Sequence, residues 1–147
     1  MLGTVSVVEL PEIDALIERS LLTSVDASDD EKAFFLKNIR QNLAWWRSNP
    51  EFSVHLKFSA DGHTVGVVLV KNFWNLCHLF VDPSQQRSGV GSALVHAAIA
   101  QCRGKSTRPA IRVNSSRNAV AFYRKLGFVP VLGASPQHGE VQFEYAI

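Results

Sequence analysis

Leu79-Phe80-Val81-Asp82-Pro83-Ser84-Gln85-Gln86-Arg87-Ser88-Gly89-Val90-Gly91-Ser92-Ala93-Leu94 is the stretch on which the reading of this chain turns. An apolar run, Asn75 to Val81, closes at Asp82-Pro83. A polar turn follows, and a helix opens at two glycines. The first amides of a helix have no partner inside it and sit at its positive dipole end. Glycines remove the Cβ atoms that would keep an anion away from those amides. A pyrophosphate suits such a turn, and Arg87 adds charge beside it. A tight turn with close helix–sheet packing accounts for the same two glycines, so the turn alone does not decide function. Two other phosphate motifs are excluded. The P-loop requires Gly-Lys-Ser/Thr after four spacer residues, and no such run occurs. The dinucleotide fingerprint requires three glycines near the first strand, whereas here two stand mid-chain.

Working outward, the segments on either side alternate between strand and helix patterns. Thr4 to Val8 is expected as a short strand. Pro11 opens a segment with Ile13, Leu16, Ile17 and Leu21 at helical spacing. Ser28-Asp29-Asp30-Glu31 matches a capping box, and the helix it starts carries Phe35, Ile39, Leu43 and Trp46 on one stripe, ending at Asn49-Pro50. Val54, Leu56 and Phe58 alternate with polar residues, Asp61-Gly62 makes a turn, and Val65 to Val70 is a continuous apolar run, which together predict a hairpin. After the glycine turn, Leu94, Val95, Ala98, Ile99 and Cys102 mark a helix that stops near Gly104. A strand over Ala110 to Val113, a helix over Asn118 to Leu126 capped by Gly127, a strand over Phe128 to Leu132, a loop over Gly133 to Gly139 and a strand over Val141 to Tyr145 complete the order. Antiparallel hairpins first and helices between strands later predict an α/β fold with a mixed sheet.

The 147 residues fit a single domain, 1–147, and a hydrophobic content of 46% is enough for a sizeable core. A net charge of +2 gives no global nucleic-acid signature, so no nucleic-acid partner is expected. No apolar run reaches membrane-spanning length, and no membrane partner is expected. Met1 to Leu10 lacks a basic stretch and holds Glu9, so it does not read as a secretory signal. Cys77 and Cys102 lack metal or redox spacing and are expected as buried free thiols, which suits a cytoplasmic setting.

Two motifs resemble the GNAT superfamily of acetyl-CoA-dependent N-acetyltransferases. Gln86-Arg87-Ser88-Gly89-Val90-Gly91 matches that family's phosphate motif Gln/Arg-x-x-Gly-x-Gly/Ala, preceded by a matching Val81-Asp82-Pro83. Asn118-Ala119-Val120-Ala121-Phe122-Tyr123-Arg124-Lys125-Leu126-Gly127-Phe128 is similar to a second family motif, Asn-x-x-Ala-x-x-Phe-Tyr-x-Lys-x-Gly-Phe. The likeness is close over residues 60–132 and loose outside them. It implies a GNAT-like fold of about seven strands and four helices, with two central parallel strands splayed around the cofactor.

The resemblance implies acetyl-CoA as co-substrate and no metal. It implies pantetheine contacts from the backbone of Leu79, Phe80 and Val81, and pyrophosphate contacts from Gln86, Arg87, Ser88, Gly89, Val90, Gly91 and Ser92. Asn114 and Asn118 are cofactor contacts in this reading, and helix caps in the bland one. Tyr123 is the candidate acid for the departing thiolate, since a positioned phenol can supply that proton; the alternative is a core tyrosine. Many family members carry a glutamate on the strand before the glycine turn. Here that stretch reads Asn75-Leu76-Cys77-His78-Leu79, which leaves His78 as the candidate base, or else a water chain near His55, His63 or His138. Trp45, Trp46, Phe73 and Trp74 are candidate walls of an acceptor pocket, with core packing as the alternative. Glu140 and Glu144 are candidates to hold an amine. The acceptor is expected to be a primary amine of a small molecule or protein, and homodimers are common in the superfamily. The competing reading is a non-catalytic acyl-CoA-binding sensor or partner module of the same fold.

Overall fold

The computed structural model describes residues 1–134 and 140–147. His138 and most of the expected Gly133–Gly139 loop lie outside the described residues. Among the described residues, seven strands form one sheet in the order β1-β2-β3-β4-β5-β7-β6. They are β1 (Leu2–Thr4), β2 (Ser53–Ala60), β3 (His63–Lys71), β4 (Asn75–Val81), β5 (Ala110–Ser115), β6 (Val129–Pro130) and β7 (Val141–Ala146). Four α-helices among the described residues connect them: α1 (Leu10–Ser24), α2 (Asp29–Ser48), α3 (Val90–Cys102) and α4 (Val120–Leu126). The mixed α/β architecture expected from the sequence is therefore present.

The helices flank the sheet on both faces. Ile13, Leu16 and Ile17 of α1 and Ile39, Leu43 and Trp46 of α2 pack with Val67 and Leu69 on one side. Leu94, Val95 and Ile99 of α3 and Tyr123 of α4 pack with Val68, Val70, Ile111, Val113 and Phe143 on the other. Successive residues of β3 thus feed opposite layers, which explains why its sequence is an unbroken apolar run. The Ser28 capping box forms as read: Ser28 Oγ accepts from Glu31 N at 3.2 Å, and the Glu31 carboxylate accepts from Ser28 N at 2.9 Å. Gly127 ends α4 with φ +102°, a left-handed conformation that favours glycine.

Two element boundaries differ from the sequence reading. The first strand is Leu2–Thr4, and Val7–Glu9 is a 3-10 turn instead of strand. The Glu9 carboxylate accepts from both the backbone and hydroxyl of Ser6 and curls the chain there. The strand after α4 shrinks to Val129–Pro130, because Pro130 has no N–H to extend a ladder.

The feature that positions the site lies at the sheet centre. Among the described residues, β4 and β5 are the one parallel pair, and they match at Asn75↔Arg112 and Leu76↔Val113. Beyond Leu76 the two strands diverge, and β5 continues against β7 through Ser115↔Val141. β4 is also bulged. Leu69 faces His78 and Val70 faces Leu76, so Cys77 is an extra residue with no opposite number on β3.

Candidate active site

The splay leaves one edge of β4 open from Cys77 to Val81. Which backbone groups it offers follows from the antiparallel ladder on the other edge. Asp82 N–H donates to Val65 O at 2.7 Å, so Phe80 and Asp82 address β3. The N–H and C=O groups of Leu79 and the N–H of Val81 therefore point to the edge that β5 has left, where Val81 O accepts from Ser20 Oγ at 3.3 Å and from Gln86 Nε2 at 3.4 Å. The side chains of Leu79 and Val81, with that of Leu76, join the α3/α4 layer, whereas Cys77 and Phe80 join the α1/α2 layer.

At the end of β4 the chain curls. Arg87 and Gly89 have φ of +64° and +85°. Gly89 is the N-cap of α3 and offers no side-chain cap. The first helical bond runs from Ala93 N to Gly89 O at 3.0 Å, so the amides of Val90, Gly91 and Ser92 precede the ladder. A Cβ on Gly89 would meet nothing within 4 Å, so the space before these amides is open. A Cβ on Gly91 would press on the Phe122 ring at 3.3 Å. The two glycines therefore do different things. Gly89 supplies the turn conformation and an open approach, and Gly91 lets α3 close on α4. Arg87 and Ser88 are exposed at the rim, and the Ser88 hydroxyl donates to Gln85 O. This curl of outward amides at a helix N-terminus, continuous with a free strand edge, fits a diphosphate joined to an amide-bearing arm.

Gln86 and Asn118 are exposed, yet their amides are engaged. Gln86 Nε2 donates to Ser24 Oγ at 2.9 Å and to Val81 O at 3.4 Å. Asn118 Nδ2 donates to Ser24 O at 2.7 Å, and its Oδ1 accepts from Asp26 N at 3.3 Å. Asn114 is exposed on β5 opposite Gln142.

Tyr123 is buried among Phe122, Phe128 and Phe143, with ring centroids 5.1, 5.3 and 6.3 Å away. Burial pushes its phenol well above the ordinary value of 10 and keeps the proton on at neutral pH.

His78 is sealed in the α1/α2 layer. The bulge at Cys77 turns His78 to the same side as Cys77, where it meets Phe80 and His55 at 5.9 and 6.2 Å between ring centroids. His55 in turn meets the Trp46 edge at 4.4 Å. Both nitrogens of both imidazoles are buried without a partner among the described residues. Burial pulls His55 down to about 4, against a smaller opposing pull from Glu9. Burial, with a smaller contribution from His55, pulls His78 down to about 3. Both rings are neutral at physiological pH.

Other candidates sort themselves by position. Trp46 is core. Phe73 and Trp74 lie in the turn before β4, under Lys105 and Arg108, whose charged groups stand 5.7 and 3.8 Å from the ring centroids. Trp45 lies under Lys71 at 4.6 Å. His63 is exposed on β3. Glu144 pairs with Arg112 at 3.7 Å. Glu140 is half-buried and directly precedes Val141, the residue opposite the last position of β5. Burial raises its carboxyl to about 7. Cys102 is buried and Cys77 half-buried, both free, with burial raising their thiols to about 12 and about 11. Sequence reasoning missed the bulge, His55 as a partner of His78, and Ser24. A bulge is set by pairing between distant strands, and Ser24 sits in a polar stretch with no local pattern.

The family model described as an acetyltransferase (GNAT) domain matches residues 23–143. No curated protein sequence matches the chain. Among solved structures, it is similar to a GCN5-related N-acetyltransferase from Rhodopseudomonas palustris, with TM-score 0.82, 17% identity, and coverage of 100% of this chain and 95% of that one. It is similar to the PaiA N-acetyltransferase from Thermoplasma acidophilum in complex with coenzyme A, with TM-score 0.76, 17% identity and coverage of 100% and 98%. A GNAT-family acetyltransferase from Streptococcus pneumoniae matches with TM-score 0.69, 19% identity and coverage of 100% and 99%.

Proposed function

This chain belongs to the GNAT acetyltransferase family, and from that premise we propose that it moves the acetyl group of acetyl-CoA to a primary amine by direct attack. The observation that carries the reading is continuity: the open edge of β4 runs directly into the curl of free amides at the start of α3. A pantetheine arm and its diphosphate need those two features in that order.

In this reading the turn from Gln86 to Ser92 holds the pyrophosphate, mainly through the amides of Val90, Gly91 and Ser92, with Arg87 as counter-charge. The backbone of Leu79 and Val81 pairs with the arm as a neighbouring strand would, and Phe80 backs that edge from the α1/α2 side. Bound acetyl-CoA supplies the thioester that the amine attacks. The N–H of Leu79 donates to the oxygen on which negative charge builds. In this reading Tyr123 is the proton donor to the departing sulfur, in a burial that keeps its proton on at neutral pH and also makes the phenol a weaker acid than in water.

The amine must arrive unprotonated or lose a proton on the way. His78 does not serve, because its nitrogens are sealed and a group with a pKa of about 3 takes no proton from an ammonium. We assign proton acceptance to Glu140, a half-buried carboxylate at the β5–β7 end of the gap whose pKa of about 7 suits a base at neutral pH. Calorimetric titration with coenzyme A, followed by thiol release from acetyl-CoA across a panel of primary amines, tests the reading. Binding with amine-dependent release supports transfer. Binding without release from any amine supports the sensor reading, and no binding removes both.

A further inference from the structure

Cations gather at the end of the sheet that lies away from the phosphate turn. The seven residues of β4 hold the two ends roughly 20 Å apart. Three cation–ring pairs lie at the far end: Lys71 over Trp45 at 4.6 Å, Lys105 over Phe73 at 5.7 Å and Arg108 over Trp74 at 3.8 Å. Strand pairing brings them together, since Lys71 pairs with Asn75, Asn75 with Arg112, and Arg112 N–H donates to Trp74 O at 2.8 Å. Arg47 in the last turn of α2 and Arg103 at the close of α3 stand at the same end. Glu51, just past α2, is the acid beside them, while Arg112 and Glu144 neutralise each other at 3.7 Å. The C-terminal ends of α2 and α3 each add about half a negative charge, which leaves roughly +3 at this end. The rest of the chain holds more acids than bases, so the overall charge of +2 conceals the segregation. The turn that carries Phe73 is also strained. Asn72 and Phe73 have φ of +56° and +65°, a conformation that bulky side chains seldom take and that clusters at functional sites.

We propose that this end of the sheet is a docking surface for single-stranded nucleic acid, separate from the cofactor site. The cations come from α2, β3 and the α3–β5 connection, so they are spread over a face and suit a chain of phosphates better than one small anion. Arg103, Lys105 and Arg108 are exposed and free to reach such a chain. Arg108 lies at stacking distance from the Trp74 indole, and its outer face is a planar platform for an unpaired base. Lys71 and Lys105 are held above rings in the same way and serve as point charges for the flanking phosphates. An acidic protein surface would use the charges and have no use for the platform. An anionic bilayer would want several apolar side chains protruding among the cations. Here Phe73 and Trp74 are half-buried beneath theirs, and Phe52 is the exposed one. The inference does not depend on acetyl-CoA binding at the other end of β4.

The test is fluorescence anisotropy with a labelled, unstructured RNA oligonucleotide, its DNA counterpart and a duplex of the same length, over a series of salt concentrations. Poly-glutamate and phosphatidylserine vesicles serve as the other anionic surfaces. Wild type is expected to bind either single strand with a log–log salt slope of about −3, as about four neutralised phosphates give. Lys105→Glu with Arg108→Glu is expected to weaken binding at least about tenfold and to flatten the slope by about 1. Lys37→Glu with Lys125→Glu makes the same change in net charge at exposed positions on α2 and α4. That pair is expected to stay within about threefold of wild type, since a localised surface does not respond to charge elsewhere. Arg108→Lys keeps the charge and loses the plane, so affinity should fall about threefold at an unchanged slope. Saturating coenzyme A should displace nothing. Urea midpoints matched to wild type show that each variant is folded. The proposal is overturned by no binding at low salt, by displacement with coenzyme A, or by an equal loss in the two charge-reversal pairs. Affinity for the duplex, poly-glutamate or vesicles that equals affinity for the single strands overturns it too, as does unchanged binding in Arg108→Lys. A protein that binds the oligonucleotide and ignores coenzyme A loses the proposed function and keeps this surface.

Discussion

Replacing His78 by Leu should flatten the acid limb of the stability curve by about 2 kcal/mol, and replacing His55 by Leu as well should double that. The figure follows from the sealed pair. An unfolded histidine titrates near 6.5, whereas burial holds His55 at about 4 and His78 at about 3. As pH falls below 6.5 the unfolded chain takes up protons that the folded chain refuses, so each ring draws the equilibrium toward unfolding. The loss begins near pH 6.5 and saturates only once pH passes the folded values. At pH 5 the gap is 1.5 pH units, worth about 2 kcal/mol per ring at ~1.4 kcal/mol per unit. That result does not depend on where below 5 the folded values lie. Glu140 acts in the opposite sense. Its carboxyl is raised from 4.5 to about 7, so the folded state gains relative stability as pH falls through 7. Comparison of wild type with variant cancels that contribution. Urea unfolding at pH 8 and pH 5, at one ionic strength, gives the four free energies needed. If the pH 8 to pH 5 loss in His78→Leu equals that of wild type, the ring is not sealed as described. At pH 8 the variant should be no less stable than wild type by more than about 1 kcal/mol, since it removes two unpartnered buried nitrogens along with a good fit.

Gly89→Glu should abolish coenzyme A binding in calorimetry by placing a carboxylate before the free amides of α3; Gly89→Ala, which adds only backbone strain of about 1–2 kcal/mol, should keep measurable affinity. Equal affinity in wild type and Gly89→Glu would remove the cradle. Tyr123→Phe should lower kcat about a hundredfold while coenzyme A affinity stays near wild type, and an unchanged kcat would exclude the proton-donor role. For an acceptor amine whose own pKa lies below 5, kcat/KM should climb with pH through an inflection at about 7, the value of Glu140. Glu140→Gln should lose that inflection, and a profile that survives the substitution would place the base elsewhere.

The architecture was largely legible because its signals are local. The capping box at Ser28, the αL glycine at 127 and the two-sided apolar run of β3 each express a rule that holds over a few residues. The glycine turn was legible for the same reason, and the motif residues around Gly89 do gather at the end of β4. What escaped the sequence depends on pairing across long separations. The fate of His78 is decided by an extra residue at Cys77, which is defined only against β3. Asn118 carries its motif position in the sequence, but its partners are Ser24 and Asp26 of a distant loop. At the N-terminus Thr4 to Val8 reads as a short strand, while the Ser6–Glu9 bonds favour a turn.

The surplus residue in β4 puts the strand's two halves out of phase. Leu76 and Leu79 share a layer although three positions separate them, a spacing that belongs to helices. Deleting Cys77 would leave Leu76 opposite Val70 and His78 opposite Leu69 in plain alternation, with Leu76, Leu79 and Val81 still in one layer and Phe80 in the other. The loss of that one codon is therefore the deletion that β4 absorbs without repacking either layer.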